Sequence, residues 1–248
     1  MQKTEAIILK SINHGETSKI LTAYTRARGK ISLMAKGVRN IRSRIGGAVE
    51  PLNYISMLFY EKESREIQLL SQAELLVAFP HIKASLPKTS LALAVCELVN
   101  QLEFGQEPNP LLFRLLLGAL KGIDGSAGDG KNVFRAFQIH LFDIMGFRPH
   151  FHGCIGCQKS LAGTVRFDLQ QGGLACETCR REHAPSVMLH HDALTGLQAL
   201  QKVHLSQLNG LLESPASQNQ VDMFLHAYLR SHVEGVKELK ALQFLRKI

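Results

Sequence analysis

The chain has 248 residues, 45% of them hydrophobic and 20% charged, with a formal net charge of +8. That is the make-up of a folded protein with one large core or two small ones, not of a disordered chain. No stretch approaches the roughly eighteen apolar residues of a membrane-spanning helix, and Lys3, Glu5 and Lys10 interrupt any apolar core of a signal peptide, so a cytoplasmic protein without membrane contact is expected.

Residues 1–80 read as strands. An apolar run inside residues 4–12 ends at Asn13-His14-Gly15, and residues 18–25 turn through Arg26-Ala27-Arg28-Gly29 into residues 30–38. A polar, glycine-containing loop over 39–48 leads to strands at 54–60 and 67–77. Five strands with turns at short intervals predict a small barrel, either an OB-fold or an SH3-like one. After Pro80 the period becomes helical. Leu91, Val95, Leu98 and Leu102 share one face, and residues 111–120 form a second helix behind Asn109-Pro110. Phe134, Phe137, Leu141, Ile144 and Met145 mark a third, closed by Gly146, and Val221, Phe224, Leu225, Tyr228 and Leu229 mark a later one. The expected fold is α+β: a five-stranded barrel (1–80), then an all-α helical body (81–149 and 183–248) holding a cysteine-bearing insert (150–182).

The sharpest motif lies in that insert. Cys154-x2-Cys157 and Cys176-x2-Cys179 are separated by eighteen residues, the pattern of two knuckles that place four thiolates around Zn²⁺. Gly153, Gly156, Gly172 and Gly173 supply the backbone freedom such turns need. His150, His152 and His183 lie near enough in sequence to replace one ligand. A closed set of four leaves no position for water, which predicts a structural and not a catalytic metal.

Charge provides the second signal. Residues 1–50 contain ten Lys or Arg and three acids, whereas the rest of the chain is nearly balanced. From Thr17 to Val49 there is no acid at all, but there are eight bases: Lys19, Arg26, Arg28, Lys30, Lys36, Arg39, Arg42 and Arg44. On a barrel these can converge on one face that binds nucleic acid, with Tyr24 and Tyr54 as stacking surfaces; the plainer alternative is a solvated charged face. Gly125-Ser-Ala-Gly-Asp-Gly130-Lys131-Asn132 nearly spells a phosphate-binding loop. It ends on Asn132 where a hydroxyl would hold Mg²⁺, and it follows a helical pattern where a buried strand is required. His190-His191-Asp192 reads as a helix start, and Cys96 as a small core residue.

The run from Gly15 to Arg26, then Gly29-Lys30, Ala35-Lys36-Gly37-Val38-Arg39, Ser43-Arg44 and Pro51, resembles the N-terminal signature of the RecO family. The resemblance continues through Phe134-Arg135-x-Phe137, Gly146-Phe147-x-Pro149 and the first cysteine pair, and faintly at Lys237-x-x-Lys240. It departs at Asn40, where another base is expected, and at Gln158, where a glycine often follows the second cysteine. The resemblance implies an N-terminal OB-fold, a helical body and an inserted zinc module. It implies a non-enzymatic, nucleoid-associated mediator of DNA repair that binds single- and double-stranded DNA and anneals complementary strands. With RecR such proteins help RecA replace the single-stranded-DNA-binding protein, whose acidic C-terminal tail docks on the helical body. It carries DNA contact onto Arg26, Lys30, Lys36, Arg39 and Arg44, with Arg28 and Arg42 in the same segment, and tail docking onto Arg135. The rival readings are an RNA-binding OB protein, a nucleotide hydrolase using residues 125–132, and a protein–protein adaptor.

Overall fold

The protein is described by a computed structural model over residues 1–102, 107–205 and 214–245. It forms two compact units, residues 1–125 with 237–248, and residues 126–236.

The first unit opens with strands β1 (Gln2–His14), β2 (Ser18–Thr25), β3 (Gly29–Ala35), β4 (Tyr54–Tyr60) and β5 (Ile67–Val77). β1 is long enough to serve two neighbours. Its first half pairs with β4 (Gln2↔Phe59 to Ile7↔Tyr54), and its second half with β2, with a bulge between Ile8 and Lys10 where the strand bends. β3 and β5 pair in parallel through Ser32↔Ile67, Leu33↔Gln68 and Met34↔Leu69, closing the order β1-β2-β3-β5-β4. This arrangement is the OB one, and it decides between the two barrels that the strand pattern allowed. Inward-facing Ile8, Leu21, Leu33, Ile55, Met57 and Phe59 fill the interior. Truncating Phe59 to Ala would cost about 3–5 kcal/mol through lost burial and the cavity left behind. The long β3–β4 connection is pinned to the same core by buried Val38, Ala48 and Val49. Asn53 Nδ2 ties it down further, donating to Gly47 O at 2.8 Å and Ala48 O at 3.2 Å.

Helices α1 (Pro80–Lys83), α2 (Leu86–Gln101) and α3 (Pro110–Gly125) follow in this unit. α3 starts as its sequence dictates: Pro110 occupies the first turn, and Asn109 Oδ1 accepts from Leu112 N at 3.0 Å. α2 buries the expected stripe and also Ala92, Ala94, Cys96 and Val99. Cys96 is a core residue, its thiol pushed up to about 12 by burial.

The second unit contains α4 (Lys131–Ile144), α5 (His191–Lys202) and α6 (Pro215–His232), around a three-stranded sheet. Its strands β6 (Val165–Asp168), β7 (Gly173–Ala175) and β8 (Ser186–Leu189) run in the order β7-β6-β8; no strand was expected here. α4 stops as Gly146 predicts. That glycine takes φ 88°, Phe147 N donates to Phe142 O at 3.0 Å, and Gly146 N donates to Asp143 O at 3.0 Å. Phe142, Phe151, Phe167, Phe224 and Tyr228 pack as an aromatic core, and Tyr228 donates to Phe147 O at 2.9 Å. A final helix, α7 (Lys240–Leu245), returns to the first unit and packs on α2, where Glu97 Oε2 accepts from Ala241 N at 3.3 Å.

Candidate metal centre and nucleic-acid interface

Each cysteine pair is held by its own turn. Gln158 N donates to Cys154 O at 2.8 Å, and Arg180 N donates to Cys176 O at 2.9 Å. The first knuckle is then laid on β7 by Ile155 N donating to Leu174 O at 2.8 Å. The second is locked by Arg181, whose guanidinium grips the buried Asp168 carboxylate at 2.9–3.0 Å. Asp168 also accepts from the amides of Gln170 and Gln171, each at 2.9 Å, so a buried acid organises the turn between β6 and β7. This clamp escapes the cysteine motif altogether.

The result brings the four sulfurs of Cys154, Cys157, Cys176 and Cys179 within 4.8 Å of one another. Cys157 Sγ lies 3.8 Å from Cys176 Sγ, far too long for a disulfide, and about the edge of a tetrahedron with ~2.3 Å metal–sulfur bonds. No histidine joins this cluster among the described residues, so His150, His152 and His183 are not needed as ligands. Room is made by Gly156: a Cβ there would stand 2.9 Å from Cys179 Cβ and 3.0 Å from its sulfur. Backbone amides of Cys176, Cys157 and Gly156 lower the Cys154 thiol to about 6. Cys179 is raised to about 12 by the neighbouring Cys176 and Cys157 sulfurs. Four thiolates this close repel one another, and a bound cation would relieve that repulsion. The donor set fits a closed, structural four-coordinate metal site.

The basic segment is less uniform in space than in sequence. Arg26 and Arg28 sit in the β2–β3 turn, whereas Lys36 and the loop bearing Arg39, Arg42 and Arg44 lie at the other end of β3, about 20 Å away at the strand rise. The expected single convergent face is therefore two groups. At the β2–β3 end the charges are matched by acids from other strands: Arg26 Nη1 bonds Glu5 at 3.0 Å, and Arg28 grips Glu61 at 2.9 and 3.1 Å. Lys30 is half-buried and donates to Asn100 O at 2.9 Å and Leu102 O at 3.3 Å, closing the C-terminal end of α2. Lys19 lies at the opposite end of β2, paired with Ala35 of β3, and is matched there by Glu50 at 2.7 Å.

At the other end the picture reverses. Lys36, Arg42 and Arg44 are exposed and have no acidic partner among the described residues. Arg39 donates to the Gly15 carbonyl at 3.1 Å, a contact that leaves its charge unneutralised. Of the two stacking surfaces expected, that of Tyr24 is not free and that of Tyr54 is half-buried. Tyr24 is 1% exposed, and Tyr54 packs edge-on against Phe113 with ring centroids 6.3 Å apart. The near-phosphate loop at 125–132 follows helix α3 and not a strand, and Asn132 is engaged by Arg135.

Arg135, the base beside Phe134 and Phe137 where the resemblance places docking of an acidic tail, is 2% exposed. Its Nε and Nη2 grip Asp222 of α6 at 2.7 and 2.8 Å, and Nη1 donates to Asn132 at 2.8 Å. It cross-links α4 to α6.

These features define a class: an OB-barrel protein with an unneutralised basic loop, and a separate helical unit built over a four-thiol metal site. The Recombination protein O N-terminal family model matches residues 1–79, and the corresponding C-terminal model matches residues 84–243. The chain is 35% identical over 245 residues to the DNA repair protein RecO of Pelotomaculum thermopropionicum, covering 99% of this chain and 93% of that protein. It is 31% identical over 247 residues to that of Desulforamulus reducens, with 99% and 94% covered. Against that of Syntrophus aciditrophicus it is 30% identical over 251 residues, with 99% and 95% covered. The chain belongs to the RecO family of DNA repair proteins.

Proposed function

We propose that the protein is a recombination mediator that binds single- and double-stranded DNA and anneals complementary strands. The observation that carries this reading is the β3–β4 loop, where Lys36, Arg39, Arg42 and Arg44 present four charges that no acid cancels among the described residues. Phosphates of two strands bound at such a face are screened from each other, which lowers the repulsion that opposes pairing. In this reading the barrel, residues 1–80, is the DNA-binding domain. Arg26 and Arg28 are secondary contacts that phosphate can recruit, because exposed ion pairs contribute only about 0–1 kcal/mol each.

The family resemblance extends the reading to a cytoplasmic, nucleoid-associated protein. With RecR it would help load RecA onto DNA coated by the single-stranded-DNA-binding protein. The insert, residues 150–182, would hold Zn²⁺ through its four cysteines, stabilising the unit of residues 126–236 that contains it without taking part in any reaction. The acidic tail of the single-stranded-DNA-binding protein can reach Arg135 only by replacing Asp222.

The test is salt dependence. Each phosphate contact contributes about 0.7 to the log–log slope of single-strand affinity against salt. Replacing Lys36 and Arg39 together with Ala should reduce that slope by about 1.4, equally across sequences, and should slow annealing of bare complementary strands. Wild-type slope and annealing rate in the double variant would remove the loop from the interface.

A further inference from the structure

Isolated apolar residues on a surface need no explanation. Ile41 is a different case because of where it stands. Its accessibility is 104% of the reference value, the highest of any large apolar residue among those described. It lies in the β3–β4 loop between Arg39 and Arg42, and Lys36, Arg39, Arg42 and Arg44 around it have no acidic partner among the described residues. The turn that carries it is built, not loose. Asn40 N donates to Gly37 O at 3.2 Å, Ser43 N to Asn40 O at 2.9 Å, and Arg39 N to Thr17 O at 2.9 Å. On either side Val38, Ala48 and Val49 are buried in the barrel core. A β-branched side chain on a pinned turn has little rotamer freedom to lose on contact.

We propose that Ile41 is an apolar wedge that inserts between bases of the DNA strand whose phosphates the surrounding cations hold. This rests on the reading of the loop as the DNA interface. Lysine and arginine position the backbone but leave the bases stacked. An isoleucine has no donor or acceptor, so it parts neighbouring bases without occupying their Watson–Crick edges. The bound strand is thereby held open for a complement, and the contact is indifferent to sequence. The loop also takes over the base contact that the buried Tyr24 does not offer.

The experiment compares wild-type protein, Ile41→Ala, Ile41→Leu and the Lys36→Ala/Arg39→Ala double variant on a mixed-sequence single strand carrying 2-aminopurine. Binding is titrated over a range of salt concentrations. An apolar contact releases no counterion, so Ile41→Ala should keep the wild-type slope while losing roughly three- to tenfold in affinity at every salt concentration. The fluorescence rise that reports unstacking should fall with it, and Ile41→Leu should restore both. The melting temperature should be unchanged, because the side chain supports no core. Unchanged affinity and fluorescence in Ile41→Ala, with a reduced slope in the double variant, would overturn the wedge and leave the DNA interface standing. A wild-type slope in the double variant would overturn both.

Discussion

Lys30 separates a structural cation from a DNA-binding one within the same run of bases. Its Nζ donates to Asn100 O at 2.9 Å and Leu102 O at 3.3 Å, two carbonyls at the C-terminal end of α2 that the helix itself leaves unpaired. Lys30→Met keeps the aliphatic stem and removes only the charge. The loss combines charge-assisted hydrogen bonds with an ammonium at the negative end of a helix, discounted because water reaches part of the site. About 2 kcal/mol follows. For a protein of this size that lowers the melting temperature of the barrel unit by roughly 4–8 °C. The assay is paired: a thermal melt beside the salt dependence of single-strand binding. The melt should fall while the slope stays at the wild-type value. An unchanged melt with a slope reduced by about 0.7 would show that Lys30 holds a phosphate and not the helix, and would refute the pairing argument.

Purified, unchelated protein should carry about one Zn²⁺ per chain, and Cys154→Ser should lose it while leaving the barrel folded; well under half an equivalent in the unaltered protein would reject the site. Zinc uptake by metal-free protein near neutral pH should release fewer than four protons, because the Cys154 thiol is lowered to about 6 and is already ionised. The number released should rise as pH falls below that value, as read by calorimetry in buffers of different ionisation enthalpy. Asp222→Ala strands the buried Arg135 guanidinium and should cost about 2–3 kcal/mol, less than a fully enclosed pair because the Asp222 side chain is 52% exposed. If Arg135 is the docking base, the same change should raise affinity for the acidic tail; unchanged or weaker binding would rule it out. Gln158 has φ 63°, the left-handed region that favours glycine, so Gln158→Gly should be neutral or stabilising by up to about 1 kcal/mol in a chemical melt.

The parts of the fold written in local patterns were legible. Strand alternation, short turns and the helical stripes after Pro80 place nearly every long element, and Gly146 closes α4 as its position suggests. The OB topology came only with the RecO resemblance and not from local pattern, because it depends on the parallel β3–β5 pairing, which joins residues far apart in sequence and leaves no local mark. The small sheet beside the cysteines was missed for a different reason. β7 spans only Gly173–Ala175 and is buried throughout, and β6 is four residues long, so neither shows alternation with period two. The cysteine pairs could be read because metal geometry dictates spacing within each knuckle. Asp168 and Arg181, which lock the second knuckle in place, follow no such rule.

The interface was legible as a charge excess but not as a surface. Thirty-three residues without an acid look like an uninterrupted basic face, yet a barrel strand places its neighbours from other parts of the sequence. Glu5 on β1 and Glu61 just beyond β4 meet Arg26 and Arg28 across the closed sheet. Counting along the chain therefore overstates the field at the β2–β3 turn. A loop that leaves the sheet escapes this cancellation. Lys36, Arg39, Arg42 and Arg44 form no ion pair among the described residues; the nearest turn, β1–β2, meets Arg39 through the carbonyls of Gly15 and Thr17. The same reasoning explains Arg135 in reverse. On α4 it has a facing helix, α6, and Asp222 occupies the matching position, so a base that seems free on a helical wheel becomes a buried cross-link. In both units, whether a cation can bind a partner depends on what the topology sets opposite it.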